Sequence, residues 1–135
     1  MAKPLPRVSA FTRPYWEAAR GGRFVLPRCR RCGEHVYYPR PWCPRCWSTA
    51  LDWVETSGRG RIITYTVVHQ APSQAFADEV PYVLAVARLT EGPQMMANVI
   101  RIDPARVRID MPVRVVFEER QDGFHIPQFA PGEEP

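Results

Sequence analysis

Four cysteines fall in two pairs, Cys29-Arg30-Arg31-Cys32 and Cys43-Pro44-Arg45-Cys46, with ten residues between them. Each Cys-x-x-Cys can wrap a tight turn around one metal ion, so the two pairs supply the four thiolates of a closed, tetrahedral Zn²⁺ site. That constraint ties residues 29–46 into a ribbon. Gly33, directly after the first pair, is free to take the positive φ that a metal-binding knuckle often uses. Trp47 holds the equivalent place after the second pair, and must either strain or adopt another turn. Arg28, Arg30, Arg31 and Arg45 lie close enough in sequence to offset the −2 charge of a zinc tetrathiolate.

Two disulfides or a redox dithiol are the rival uses of such pairs. No cysteine stands outside them, and the opening Met1-Ala2-Lys3-Pro4-Leu5-Pro6-Arg7 lacks the apolar core of a secretory signal. The expected setting is therefore reducing and cytoplasmic, where disulfides are rare. Four thiolates leave the metal no open position for water or substrate. Such an ion folds the ribbon and does no chemistry.

Fifteen prolines argue against long helices, and no apolar run reaches the ~20 residues that cross a bilayer, so no membrane partner is expected. Residues 11–22 read as a short helix, with Pro14 at its start, Glu17 in its first turn and Gly21-Gly22 as the stop. Tyr15, Trp16 and Ala19 give it one apolar face that needs a partner. In the ribbon, Phe24-Val25-Leu26 leads into the first knuckle, His35-Val36-Tyr37-Tyr38 returns as a strand, and Leu51–Glu55 leaves it. Thr56–Gly60 is a turn and a boundary. Strand patterns follow at Ile62–Val68, Tyr82–Leu89, Gln94–Ile100 and Val113–Glu118, with a short last strand at Phe124–Pro127 and a turn near Asp103-Pro104. Gly92-Pro93, Asp103-Pro104 and Met111-Pro112 exclude a helical reading. Five short strands after a boundary suit a small Greek-key barrel of the OB type. The fold expected is all-β with a short N-terminal helix. Its units are a helical segment (1–23), a zinc ribbon (24–56) and a five-stranded barrel with a C-terminal tail (57–135).

Charge divides along the same boundary. Residues 1–50 carry ten Lys or Arg against two Glu, net +8, and residues 51–135 carry eight against twelve acids, net −4. A basic, aromatic ribbon could meet nucleic acid, the phosphates of a nucleotide-like cofactor or an acidic protein surface. A nucleic-acid-binding module is the alternative function, but it would put basic and aromatic residues on the barrel strands, where the net charge is negative.

With the cysteines committed to metal, no thiol remains as a nucleophile, and no Gly-x-Ser-x-Gly elbow is present. No catalytic residue is assigned. His69 ends the first barrel strand ahead of a loop holding Asp78 and Glu79, so a His–carboxylate pair is conceivable, against the plainer reading of a strand-end His. The loop Gln70–Pro81 is long for a hairpin and contains an isolated Phe76, and long loops in compact domains tend to be functional. His69, Phe76 and Tyr82 are the candidate surface toward substrate or partner.

A resemblance rests on several motifs in one order. They are Pro14-Tyr15-Trp16-Glu17, the Cys-x-x-Cys-Gly knuckle at 29–33, Trp53-Val54-Glu55-x-Ser57-Gly58-x-Gly60 and Tyr65-Thr66-Val67-Val68-His69. Next come Phe76 with Val80-Pro81-Tyr82-Val83, Glu91-Gly92-Pro93 and Asp110-Met111-Pro112-Val113-x-Val115. Together they resemble the zinc-ribbon plus OB-fold family of acyl-CoA-associated proteins, from about residue 11 to about residue 129. Trp47 and Asp110 stand where members often have glycine. The resemblance implies a rubredoxin-like zinc ribbon followed by an OB barrel. It implies association with a thiolase-fold partner of the lipid-transfer-protein type, in an acyltransferase or an aldolase complex such as those that shorten steroid side chains. The partner would supply the catalytic residues, while this chain helps hold or channel an acyl-CoA thioester of lipid metabolism. Arg30, Arg31 and Arg45 are then candidates for the CoA phosphates.

Overall fold

A computed structural model describes residues 3–132; Met1, Ala2 and the last three residues of the expected C-terminal tail lie outside the described residues. The helix α1 spans Arg13–Arg20, with Pro14 in its first turn and Gly21 as its C-cap. Glu17 falls in the second turn and not the first, because the helix begins at Arg13. Ser9 and Thr12 brace its start, each backbone N–H donating to the other's hydroxyl. Its inward face is Tyr15, Ala18 and Ala19, all buried, with Trp16 packed beside them.

β1 (Val25–Cys29) pairs antiparallel with β2 (Leu51–Glu55), from Val25 opposite Glu55 to Cys29 opposite Leu51. The expected strand His35–Tyr38 does not form. It is reduced to one bridge between Arg28 and His35, because the chain turns inward there. Val36 buries and donates to the Pro27 carbonyl, while Pro39 and Pro41 offer no N–H to continue a ladder.

The remaining strands are β3 (Arg59–Val68), β4 (Tyr82–Leu89), β5 (Gln94–Val99), β6 (Pro112–Glu119) and β7 (His125–Pro131). They close into a five-stranded barrel in the order β3-β4-β5-β7-β6. β7 is longer than its proline-rich sequence suggests, and it completes the closure. Phe129 pairs in register with Val99 of β5 on one side and Val115 of β6 on the other, and it is fully buried. Only one residue pair joins β5 to β7, and the side-chain oxygen of buried Gln128 accepts from the Asn98 N–H beside it. Gly60 permits a close crossing of β3 over β4, since a Cβ there would lie 2.7 Å from the Arg88 carbonyl oxygen.

One core unites these units. Tyr15 meets Phe24 at 6.0 Å between ring centroids, Phe24 meets Phe117 of β6 at 6.5 Å, and Leu26 buries with Ile62, Leu89, Met95 and Phe129. Burial lifts the Tyr15 phenol well above its ordinary pKa, so it stays protonated.

Candidate functional site

The two Cys-x-x-Cys turns are built alike. The Gly33 N–H donates to the Cys29 carbonyl at 2.9 Å and the Trp47 N–H to the Cys43 carbonyl at 2.8 Å. The Cys29 and Cys43 N–H groups in turn donate to Glu34 and Ser48, both at 2.8 Å. Gly33 sits at φ 81° and Trp47 at φ 65°. Trp47 thus takes the strained option, in the backbone form its glycine counterpart adopts freely.

These turns bring all four sulfurs within 4.8 Å of one another, with Cys29 and Cys46 at 3.6 Å and Cys32 and Cys43 at 3.4 Å. Four ligands at the usual Zn–S length of about 2.3 Å would stand about 3.8 Å apart in a tetrahedron, so the donor set fits zinc. The thiols influence one another strongly. N–H groups of Cys32 and Arg31 outweigh burial and hold Cys29 down at about 6. The Glu34 amide lowers Cys32, yet burial and the three neighbouring thiols carry it up to about 12. One thiolate makes the next harder to form, a repulsion that a divalent cation removes.

Of the ribbon arginines, Arg45 binds Glu34 at 2.7 Å and Arg30 lies 3.5 Å from Asp52, whereas Arg31 is exposed and no ion pair involves it among the described residues. Beside them Trp42 and Trp47 stack at 6.5 Å, and Trp47 is 71% exposed. His69 is exposed at the end of β3, and Glu79 forms its ion pair with Lys3 instead of with a histidine. Lys3 also lies 5.9 Å over the ring of half-buried Phe76, which sits in a single 3₁₀ turn, Gln74–Phe76. Tyr82 is half-buried on the barrel's outer face, in a recess it shares with Glu79 and Asn98.

A cleft of about 730 Å³ lies elsewhere, against the start of β3, the end of β4 and the approach to β6. Arg59, Arg61, Arg88, Ile63 and Ile109 line it. The acidic balance of the barrel half hides these arginines in the sequence; the spacing of Arg59 and Arg61, two apart in a strand, is the local signal that they share a face.

Known proteins resemble the chain along nearly its whole length. The family model for the rubredoxin-like zinc ribbon domain of ChsH2 matches residues 16–52, and that for the C-terminal OB-fold domain of ChsH2 matches residues 53–118. A protein of Pyrococcus furiosus described as a DUF35 domain-containing scaffold protein is 34% identical over 129 residues, 92% of this chain and 90% of that one. A probable enoyl-CoA hydratase alpha subunit of Thermomonospora curvata is 36% identical over 96% of this chain, which spans only 40% of that relative's length. Among solved structures, a chain of the Ltp2-ChsH2(DUF35) aldolase superposes with a TM-score of 0.81 at 36% identity, covering 94% of this chain and 98% of that one.

Proposed function

The chain belongs to the ChsH2 family of zinc-ribbon and OB-fold proteins, which includes DUF35 scaffold proteins, and on that basis we propose that it is the accessory subunit of an acyl-CoA-handling complex. In this reading its partner is a thiolase-fold protein of the lipid-transfer-protein type. The partner carries out the acyltransferase or aldolase step on fatty-acid or steroid side chains in a reducing cytoplasm, and this chain stabilises it and helps hold the CoA thioester. The observation that carries the reading is the near-complete superposition on a chain of an aldolase complex at 36% identity. The chemistry agrees with it. Every thiol is drawn into one four-sulfur cluster that leaves a bound metal no open position, and His69 stands exposed, away from Glu79, which Lys3 holds.

The test is an assay of the zinc-loaded chain against acyl-CoA and β-hydroxyacyl-CoA thioesters, alone and with a co-purified thiolase-fold partner. Turnover is expected only with the partner, and His69→Ala should leave it within about twofold. Turnover by the pure chain that His69→Ala abolishes would make His69 a catalytic base and end the accessory reading.

A further inference from the structure

Register places four arginines side by side on the outside of the barrel. Arg61 of β3 lies directly opposite Arg88 of β4, and Arg59 of β3 directly opposite Arg114 of β6. Their strand neighbours Ile62, Ala87, Leu89 and Val113 are buried, so by alternation all four arginines face out together. Like charges directly across an antiparallel pair repel, and here two such pairs adjoin. They hold half of the eight basic residues of a half-chain whose net charge is −4. The acid that meets this group is Asp110, 3.8 Å from Arg61, and the residues opposite the outer arginines on their far sides are neutral, Gln94 and Ala130. Among the described residues no ion pair involves Arg59, Arg88 or Arg114.

Three of these arginines line the 730 Å³ cavity, and its other wall is apolar, with Ile63 38% and Ile109 57% exposed. A cavity of that size, mostly apolar with a few convergent cations, suits a small organic anion. We propose that this cleft binds a phosphate-bearing ligand, the phosphate across Arg61 and Arg88 and an apolar arm along Ile63 and Ile109. Guanidinium forks take phosphate in two-point hydrogen bonds, and an anion there converts the cross-strand repulsion into a bridge. Of the ribbon candidates, Arg30 and Arg45 already face carboxylates, which leaves Arg31, whereas the cleft gathers three arginines. The inference takes its ligand class from the acyl-CoA reading but rests its location on the barrel alone.

Calorimetric titration of the full zinc-loaded chain with inorganic pyrophosphate and with octanoyl-CoA separates the two. Arg88→Gln should weaken both by about tenfold, with a salt dependence that the wild type shares. Asp110→Asn should strengthen pyrophosphate binding by about threefold, by removing the negative charge 3.8 Å from Arg61 while its bond to the Asp110 carbonyl stays. Ile109→Ala should weaken octanoyl-CoA alone. In the absence of ligand, Arg88→Gln should melt roughly 2 °C higher, because one of two facing charges is gone. Pyrophosphate binding that depends on Arg88, without competition from octanoyl-CoA, upholds the cleft and defeats the acyl-CoA reading. Octanoyl-CoA binding that ignores Arg88→Gln and falls in Arg30→Gln puts the phosphates on the ribbon and overturns the cleft. A single-stranded oligonucleotide that binds through Arg88 more tightly than octanoyl-CoA would overturn the small-ligand assignment.

Discussion

Trp47 and Asp110 both adopt left-handed backbone, at φ 65° and 66°, at the two positions where the family resemblance leads one to expect glycine. Sequence alone left Trp47 with two options, strain or a different turn; the hydrogen bonds common to both knuckles leave only strain. A large side chain in this conformation is unfavourable, whereas Asp tolerates it through its short polar side chain. Trp47→Gly should therefore stabilise the zinc-loaded chain by about 1 kcal/mol, and Asp110→Gly by roughly 0.5 kcal/mol, as read by thermal or chemical melts. A loss of stability in Trp47→Gly would mean that its stack on Trp42 outweighs the backbone term. The metal ligands form the sharpest residue-level case. Cys43→Ser leaves three thiolates, and zinc content by elemental analysis should fall well below that of the wild type, with loss of solubility. Rubredoxin-like colour and iron in natively expressed protein would replace zinc as the metal while keeping the four ligands.

Strands whose side chains alternate were legible, and those held by exceptions were not. β4 reads from its buried Val83, Ala85, Ala87 and Leu89, spaced by two, whereas β7 runs through Pro127, buried Gln128 and Pro131, which look like a loop in sequence. What makes β7 a strand is its register with β6 and the bond that the Asn98 N–H donates to the Gln128 side chain, and neither leaves a local pattern. The opposite holds at His35–Tyr38, where the turn buries Val36, leaves Tyr38 exposed and keeps one bridge at His35 in place of a ladder. Phe129→Ala, which removes the side chain at the point where β7 meets both neighbours, should cost about 3–5 kcal/mol in denaturant melts. The Gln70–Pro81 loop is a milder case. Phe76→Ala should cost about 1–2 kcal/mol, leave zinc content unchanged and lower the activity of the partner complex or raise its apparent KM. Global unfolding of this variant would reduce Phe76 to a core residue and remove the loop's claim on substrate.

At the scale of the whole molecule, order and class of the elements were readable, but the way they share a core was not. Nothing local says that Phe24, at the start of the ribbon, will meet Phe117 of β6, or that the barrel's arginines will meet across strands. The shared aromatic cluster makes helix, ribbon and barrel a single packed body, while all four metal-ligating thiols lie in the ribbon. The distribution of tryptophan turns that difference into an optical signal. Trp16, Trp42, Trp47 and Trp53 all precede β3, so the barrel holds no indole and emits only through tyrosines such as Tyr65 and Tyr82. Intrinsic indole fluorescence therefore watches the helix and ribbon, and far-ultraviolet circular dichroism is weighted toward the barrel strands. With zinc bound, the two signals should lose structure at one midpoint. After chelation the emission should shift to the red before the dichroism changes, so that one chain, without any added label, reports its metal-dependent and metal-independent parts in separate colours.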